Sequence, residues 1–394
     1  MSKSRYRVAV LTTHQIQYHT PWYQAMAVCP RLDCEVLFCH QATPAEQANA
    51  GFGVAFDWDT PLLDGYRYRF LRNVAAQPSV NSFFGLDTPE LRDIVARERY
   101  DAVLISGWHY KSAWQGVRSC WRTKTPVMVR GDSHLHSPRP PMKKLIKVLP
   151  YRYFLRRMDA CLAVGKWSQE YFLSYGAPPE RVFFVPHAID DRLLAARIRP
   201  DRTRLRSEWG LQDATTVFLY VGKFTSGKGP VDFVRAIGEA KRRGFPGEGL
   251  MVGDGPLRPE CEQIVKEAGL PIRFTGFLNQ SQIAEGYFAS DVLVLPGSET
   301  WGLVVNEAMT CGLPCIVSDQ VGAGPDLVKQ DQTGSVFRVG DVAELASLMC
   351  RYAEDPAKIK KMGDSARQLV AKYSISAAVN GVIEALDAIQ RRRT

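Results

Sequence analysis

Glu299 and Glu307 bracket the part of this sequence richest in chemistry. The run from Leu295 to Pro314 reads as a strand end, a loop carrying Glu299, and a helix beginning near Gly302 with Glu307 inside it. At 3.6 residues per turn, a carboxylate in the loop and one in the helix's second turn can face the same side. The first N–H groups of such a helix, those of Leu303 and Val304, have no carbonyl one turn back and are open to a phosphate. Ionised carboxylates accept hydrogen bonds from hydroxyls, so this pair beside an anion site suits a ligand rich in sugar or ribose OH groups. The spacing alone means little; the flanking Gly-Ser-Glu, Trp-Gly and Glu-Ala-Met-Thr-Cys-Gly-Leu-Pro make it specific.

A second anion site is written upstream. Val217–Val221 leads into Gly222-Lys223-Phe224-Thr225-Ser226-Gly227-Lys228-Gly229-Pro230 and then an amphipathic helix. Backbone N–H groups, the helix dipole and two ammonium groups all favour a diphosphate there. The pattern is not the Gly-x4-Gly-Lys-Ser/Thr of a Walker loop. Gly253-Asp254-Gly255-Pro256 after Leu250–Val252 reads as a plain turn. Thr275-Gly276-Phe277 after Ile272–Phe274 offers backbone amides to a flat base.

These residues all follow apolar, β-branched runs, and such runs alternate with helical patterns along the chain, the signature of βα units. Strands are expected at Arg7–Leu11, Cys34–Phe38, Asp101–Ile105, Pro126–Val129, Ala160–Val164 and Val182–Val185. A second series is expected at Val217–Val221, Leu250–Val252, Ile272–Phe274, Val292–Leu295, Cys315–Ser318 and Ser335–Phe337. Between them, Pro186, Pro200 and the charged run Asp190–Glu208 read as a connection. The expectation is an α/β chain of two tandem doubly wound, Rossmann-like domains with a cleft between them: 1–190, 191–374, and a helix over 375–394 packing back toward the first domain. A length of 394 residues, with 45% hydrophobic and 23% charged residues, suffices for two cores.

Composition excludes several classes. No run of eighteen apolar residues occurs, which argues against a membrane-spanning helix, and Val8–Leu11 is too short for a signal peptide. Nine scattered cysteines without a Cys-x-x-Cys pair fit reduced thiols in a cytoplasm. The charge is uneven: residues 1–200 hold 27 Lys/Arg against 17 Asp/Glu, the remainder 23 against 24. Arg139, Lys143, Lys144, Lys147, Arg152, Arg156 and Arg157 form an acid-free basic run, fit for an anionic membrane surface or simply for a solvated helix face. It has no interleaved aromatics on a recognisable nucleic-acid module.

The stretch Glu299–Glu307 resembles the Glu-x7-Glu signature of retaining glycosyltransferases of family 4, which have the GT-B fold. Val221-Gly222-Lys223 through Lys228-Gly229, Val252–Pro256, Phe274-Thr275-Gly276 and Val185-Pro186-His187-Ala188-Ile189-Asp190 are similar to that family in order and spacing, over about residues 155–373. The resemblance implies transfer of a sugar from a nucleotide diphosphate-sugar, UDP- or GDP-linked, to an acceptor hydroxyl on a glycan or lipid-linked acceptor, with no cofactor and no metal. It implies that Glu299 meets the transferred sugar and Glu307 the ribose. Lys223 and Lys228 would offset the departing diphosphate with the amides of Leu303 and Val304. Gly222, Gly302 and Phe277 would complete the donor site, Phe277 at the base. Alternatives are a GT-B phosphorylase or a catalytically dead sugar-nucleotide-binding protein.

The chain departs from that family at three places. Lys223 stands where Arg is common, and Thr12–His19 where a glycine pair is common. The strand Pro126–Val129 is followed by Arg130-Gly131-Asp132-Ser133-His134 rather than directly by His. Asp132 lies nearest the expected catalytic position, and the sequence leaves open whether it or His134 faces the reacting centre. His14, Gln17, Tyr18 and His19, and Trp108, His109 and Tyr110, follow strands and suit an acceptor. Asp57-Trp58-Asp59 is the one Asp-x-Asp triplet.

Overall fold

A computed structural model describes residues 4–43, 58–136, 141–197 and 201–394. Asp57, Arg139 and Pro200 lie outside them, as do the side chains of residues 141–146. The chain divides into two compact units. The first comprises the residues up to Ala42, Pro61–Ala188 and Ser374–Thr394; the second comprises Ile189–Tyr373 with the short segment around Asp59. Asp59 is tied into the second unit by the Ser281 amide, which donates to its carboxylate at 3.0 Å.

The first unit is built on seven parallel strands: β1 Tyr6–Thr12, β2 Leu32–Phe38, β3 Arg67–Phe70, β4 Ala102–Ser106, β5 Val127–Gly131, β6 Ala160–Ala163 and β7 Val182–Phe184. Their order is β3-β2-β1-β4-β5-β6-β7. Six strands match the expected runs; β3 was not anticipated. Arg67-Tyr68-Arg69-Phe70 is an edge strand, and edges carry charge because one side of the ladder faces solvent. Its arginines reach back to β2, Arg69 to Glu35 at 3.0 Å and Arg67 to Asp33. Along β1 the side chains alternate between two cores. Ala9 and Leu11 join one, while Tyr6, Val8 and Val10 join the other. A sheet covered on both faces needs this unbroken apolar reading.

The core on the Val8/Val10 face is completed by helix Thr20–Val28, through Trp22, Tyr23 and Met26, and by the last helix, Ile375–Arg393, through Ala378, Val382, Ala385, Leu386 and Ile389. Asp387 on it accepts from Tyr6 at 2.7 Å and pairs with Arg31 at 2.8 Å. The stretch Pro356–Arg393 is apolar enough over eighteen residues to pass for a membrane span, against the sequence expectation. It is two helices, Pro356–Val370 and Ile375–Arg393, broken between them, and the apolar face of the second is core.

The second unit carries six parallel strands: β8 Val217–Val221, β9 Glu248–Val252, β10 Ile272–Gly276, β11 Val292–Leu295, β12 Cys315–Ser318 and β13 Gly334–Phe337, in the order β10-β9-β8-β11-β12-β13. In each sheet the strand order reverses beside the first strand of the series, at β1/β4 and at β8/β11. Open α/β sheets gather ligands at the carboxyl ends of strands flanking such a reversal.

Candidate active site

In the second unit the loops after β8 and β11 meet at that reversal. Gly222 continues the ladder by donating to Val252 O at 3.1 Å, a single 3₁₀ turn covers Ser226–Lys228, and helix Pro230–Arg242 follows. The loop after β11 crosses it closely: Ser298 N donates to Gly227 O at 2.8 Å. A Cβ on Gly297 would stand 2.4 Å from Gly227 O and 2.5 Å from Lys228 Cα, so only glycine allows the crossing. Glu299 is then held on both sides of its backbone, its N–H to Gln320 O and its carbonyl from Gly322 N, each at 3.1 Å.

The crossing sets Lys228 Nζ 2.5 Å from Glu299 Oε2, with side chains only 29% and 19% exposed. Lys223 is half-buried; burial lowers its pKa, the Lys228 charge lowers it further, and Glu299 partly restores it. Its carbonyl accepts from Tyr220 OH at 3.0 Å. Two cations with one carboxylate between them leave net positive charge beside the first turn of helix Leu303–Thr310, which Gly302 enters at φ +97°. Leu303 and Val304 head that helix, where N–H groups lack intrahelical acceptors. Such a set can hold a diphosphate and offer one carboxylate to hydroxyls.

Glu307 is 4% exposed and accepts from Tyr287 OH at 2.5 Å. Tyr287 fixes this carboxylate and escaped the sequence reading, since a tyrosine within a helical pattern reads as core. Phe277 follows β10, half-buried. Gly253–Pro256 is more than a plain turn. Asp254 O accepts from Phe224 N at 2.8 Å, and a Cβ on Gly253, at φ +131°, would lie 2.0 Å from Gly222 O. The turn props the lysine loop from behind.

In the first unit, loops after β1, β4 and β5 enclose a cavity of about 330 Å³ whose lining includes His19, His109, Arg130, Asp132, Lys147 and His187. His109 and Asp132 were expected there. His14, Gln17 and Tyr18 do not line it; His14 bonds Thr13 Oγ1 at 2.9 Å. His134 is buried with its ring 4.8 Å from Trp167, outside the lining, so of the pair Asp132/His134 the structure sets Asp132 in the cavity.

Arg130, His187 and Lys147 are not among the expected site residues: the sequence reads Arg130 as a strand end, His187 as part of the family-like Val185–Asp190 stretch and Lys147 as one of a basic run. Arg130 is 4% exposed, lies 4.8 Å from the Trp22 ring centre, and donates to Pro186 O at 3.0 Å and Val185 O at 3.4 Å. Burial brings its pKa down to about 10. His187 Nδ1 is 3.3 Å from Arg130, its Nε2 is 3.8 Å from Asp132, and its ring stacks on His19 at 6.3 Å. Burial and the Arg130 charge lower the pKa of both histidines, which Asp132 partly offsets; burial also lowers His109, with Lys147 adding to it.

Known proteins show the same two-part organisation. The model described as Glycosyltransferase Family 4 matches residues 26–193, and that described as Glycosyl transferases group 1 matches residues 201–369. The alpha-D-kanosaminyltransferase of Streptomyces kanamyceticus is 34% identical over 51% of this chain and 53% of that protein. The D-inositol 3-phosphate glycosyltransferase of Nocardia farcinica is 31% identical over 81% of this chain and 75% of that protein. The chain thus spans about half the length of the first curated relatives it matches. The crystal structure of Anabaena Alr3699/HepE in complex with UDP superposes with a TM-score of 0.73 at 19% identity, covering 97% of this chain and 100% of that one, a likeness of fold. The chain belongs to the GT-B glycosyltransferases of the family 4 type.

Proposed function

We propose that this protein is a retaining glycosyltransferase that moves a sugar from a UDP- or GDP-sugar to an acceptor hydroxyl in glycan or glycolipid synthesis. The carrying observation is the Lys228–Glu299 pair beside Lys223 and a helix N-terminus: one carboxylate for sugar hydroxyls within a cationic setting for diphosphate. The relatives named above act as glycosyl transferases, and the Anabaena neighbour holds UDP. In this reading Glu299 meets the sugar, Glu307 the ribose and Phe277 the base, while the cavity of the first unit takes the acceptor. The anomeric C–O bond to the diphosphate breaks, the acceptor oxygen bonds the same face, and its proton passes to the departing phosphate oxygen. Lys223, Lys228 and the amides of Leu303 and Val304 offset the charge that develops, in place of a divalent metal.

The basic helix Pro141–Leu155 adds a membrane reading. Leu149 and Tyr153 on it are 78% and 53% exposed, next to Arg152 and the following Arg156 and Arg157. Apolar and aromatic side chains amid basic ones suit an anionic lipid surface on the cytoplasmic side. The decisive test of the main reading is thermal unfolding with UDP, GDP, UDP-glucose and inorganic phosphate. A nucleotide at a hundred times its Kd raises stability by about 2.7 kcal/mol. No rise with any nucleotide overturns the reading, a rise with phosphate and turnover without nucleotide favours a phosphorylase, and a rise with nucleotide but no transfer favours a catalytically dead sugar-nucleotide-binding protein.

A further inference from the structure

The cavity of the first unit is unusual in its charge, and nothing in the donor chemistry requires that. Its lining brings Arg130, Lys147, His19, His109 and His187 together against one carboxylate, Asp132. Arg130 is the informative member, because a guanidinium that is 4% exposed needs a reason to be there. Among the described residues its hydrogen-bond partners are carbonyls and an imidazole and not a carboxylate. Its Nε and one Nη serve the carbonyls of Val185 and Pro186 and the His187 ring, and the residue lines the cavity. Lys147 enters from helix Pro141–Leu155 and Arg130 from the end of β5, so the two cations come from separate elements and converge.

From this we infer that the cavity recognises an acceptor bearing an anionic group, a phosphate or carboxylate, seated against Arg130 and Lys147. The assignment rests on the glycosyltransferase reading and narrows it from any hydroxyl compound to a charged one. A volume of about 330 Å³ admits one sugar-sized polyol with such a group and little more. The aromatic walls, Trp108, Tyr151 and Tyr171, give the polyol ring apolar faces to lie on. An anion there is bound by charge-assisted hydrogen bonds in a partly dry site, where these are stronger than in water. The anion could come from a soluble sugar phosphate or from the phosphate of a lipid headgroup; the chemistry is shared.

The test is calorimetric titration of the full chain with glucose, glucose 6-phosphate, inorganic phosphate and a short-chain phosphatidylinositol below its micelle concentration. Glucose 6-phosphate or the lipid should bind at least tenfold more tightly than glucose, and raised salt should weaken it. Whichever of the two binds more tightly identifies the source. Lys147→Met should cut that affinity about tenfold while UDP binding, carried by the second unit, stays unchanged. Arg130→Met should abolish it, read alongside the melting temperature because Arg130 also holds Val185 and Pro186. Equal binding of glucose and glucose 6-phosphate, or anion binding indifferent to Lys147→Met, overturns the inference and leaves the donor reading standing. Loss of UDP binding in the unmutated chain instead refutes the donor reading.

Discussion

Lys228 has two anions to choose from, the Glu299 carboxylate at 2.5 Å and the diphosphate it is proposed to hold. If the diphosphate binds there, it should draw the ammonium away from Glu299 and free that carboxylate for sugar hydroxyls. Glu299→Gln removes the competitor, so nucleotide affinity should hold or rise while turnover falls on the order of 10². Glu307→Gln should do the opposite, weakening free UDP about tenfold by losing a charged hydrogen-bond acceptor for the ribose. Nucleotide titration and transfer rate on both variants separate the roles; loss of affinity in Glu299→Gln alone reverses them. At this scale the sequence was readable in the second unit, where the site residues sit on short, patterned loops. It was less so in the first, because Arg130 and His187 meet across 57 positions through two successive strand pairings, β5 with β6 and β6 with β7, that no local pattern announces.

The strands were legible because sheets buried on both faces write unbroken apolar runs, as in β1 and β8. β3 was not, since an edge strand of alternating arginine and aromatic residues looks like loop. The loops that end β1 and β5, with the segment after β7, create an element-level pH response. His19 and His187 are held below their ordinary pKa near 6.5 by burial and by Arg130. The neutral rings suit the folded state, and below about pH 6.5 the unfolded chain binds more protons than the folded one. Stability should thus be complete above that pH and fall as pH drops toward the folded-state values. Melting temperatures between about pH 7.5 and 5.5 should decline in the native chain, and less steeply in His19→Asn/His187→Asn. Equal slopes would remove these histidines as the cause.

At the scale of the molecule two expectations concern what the enzyme needs around it. If two lysines and a helix N-terminus offset the leaving diphosphate, transfer should survive saturating EDTA, and Lys228→Ala should cost on the order of 10² or more in turnover. Abolition by EDTA with rescue by Mn²⁺ points instead to a carboxylate-held cation, starting with Asp59 and the neighbouring Asp57. If helix Pro141–Leu155 engages lipid, the protein should sediment with anionic vesicles at low salt, gaining about 1 kcal/mol per engaged basic residue, and be released by salt. Equal partitioning to neutral vesicles excludes that role.

The chain leaves the first unit at Ala188 and re-enters it at Ser374, so the second unit is an insertion within the first. On a ribosome this fixes an order of events. Domains tend to fold as they emerge, N-terminal first. Here the N-terminal sheet emerges early yet lacks helix Ile375–Arg393, which supplies Ala378, Val382, Ala385, Leu386 and Ile389 to the core on its Val8/Val10 face. Throughout synthesis of the inserted unit only helix Thr20–Val28 covers that apolar face, and the remainder waits open, a natural client for a holding chaperone. A premature stop shortly before residue 375 would therefore yield a sticky half-sandwich and not a shortened transferase, however complete its donor loops.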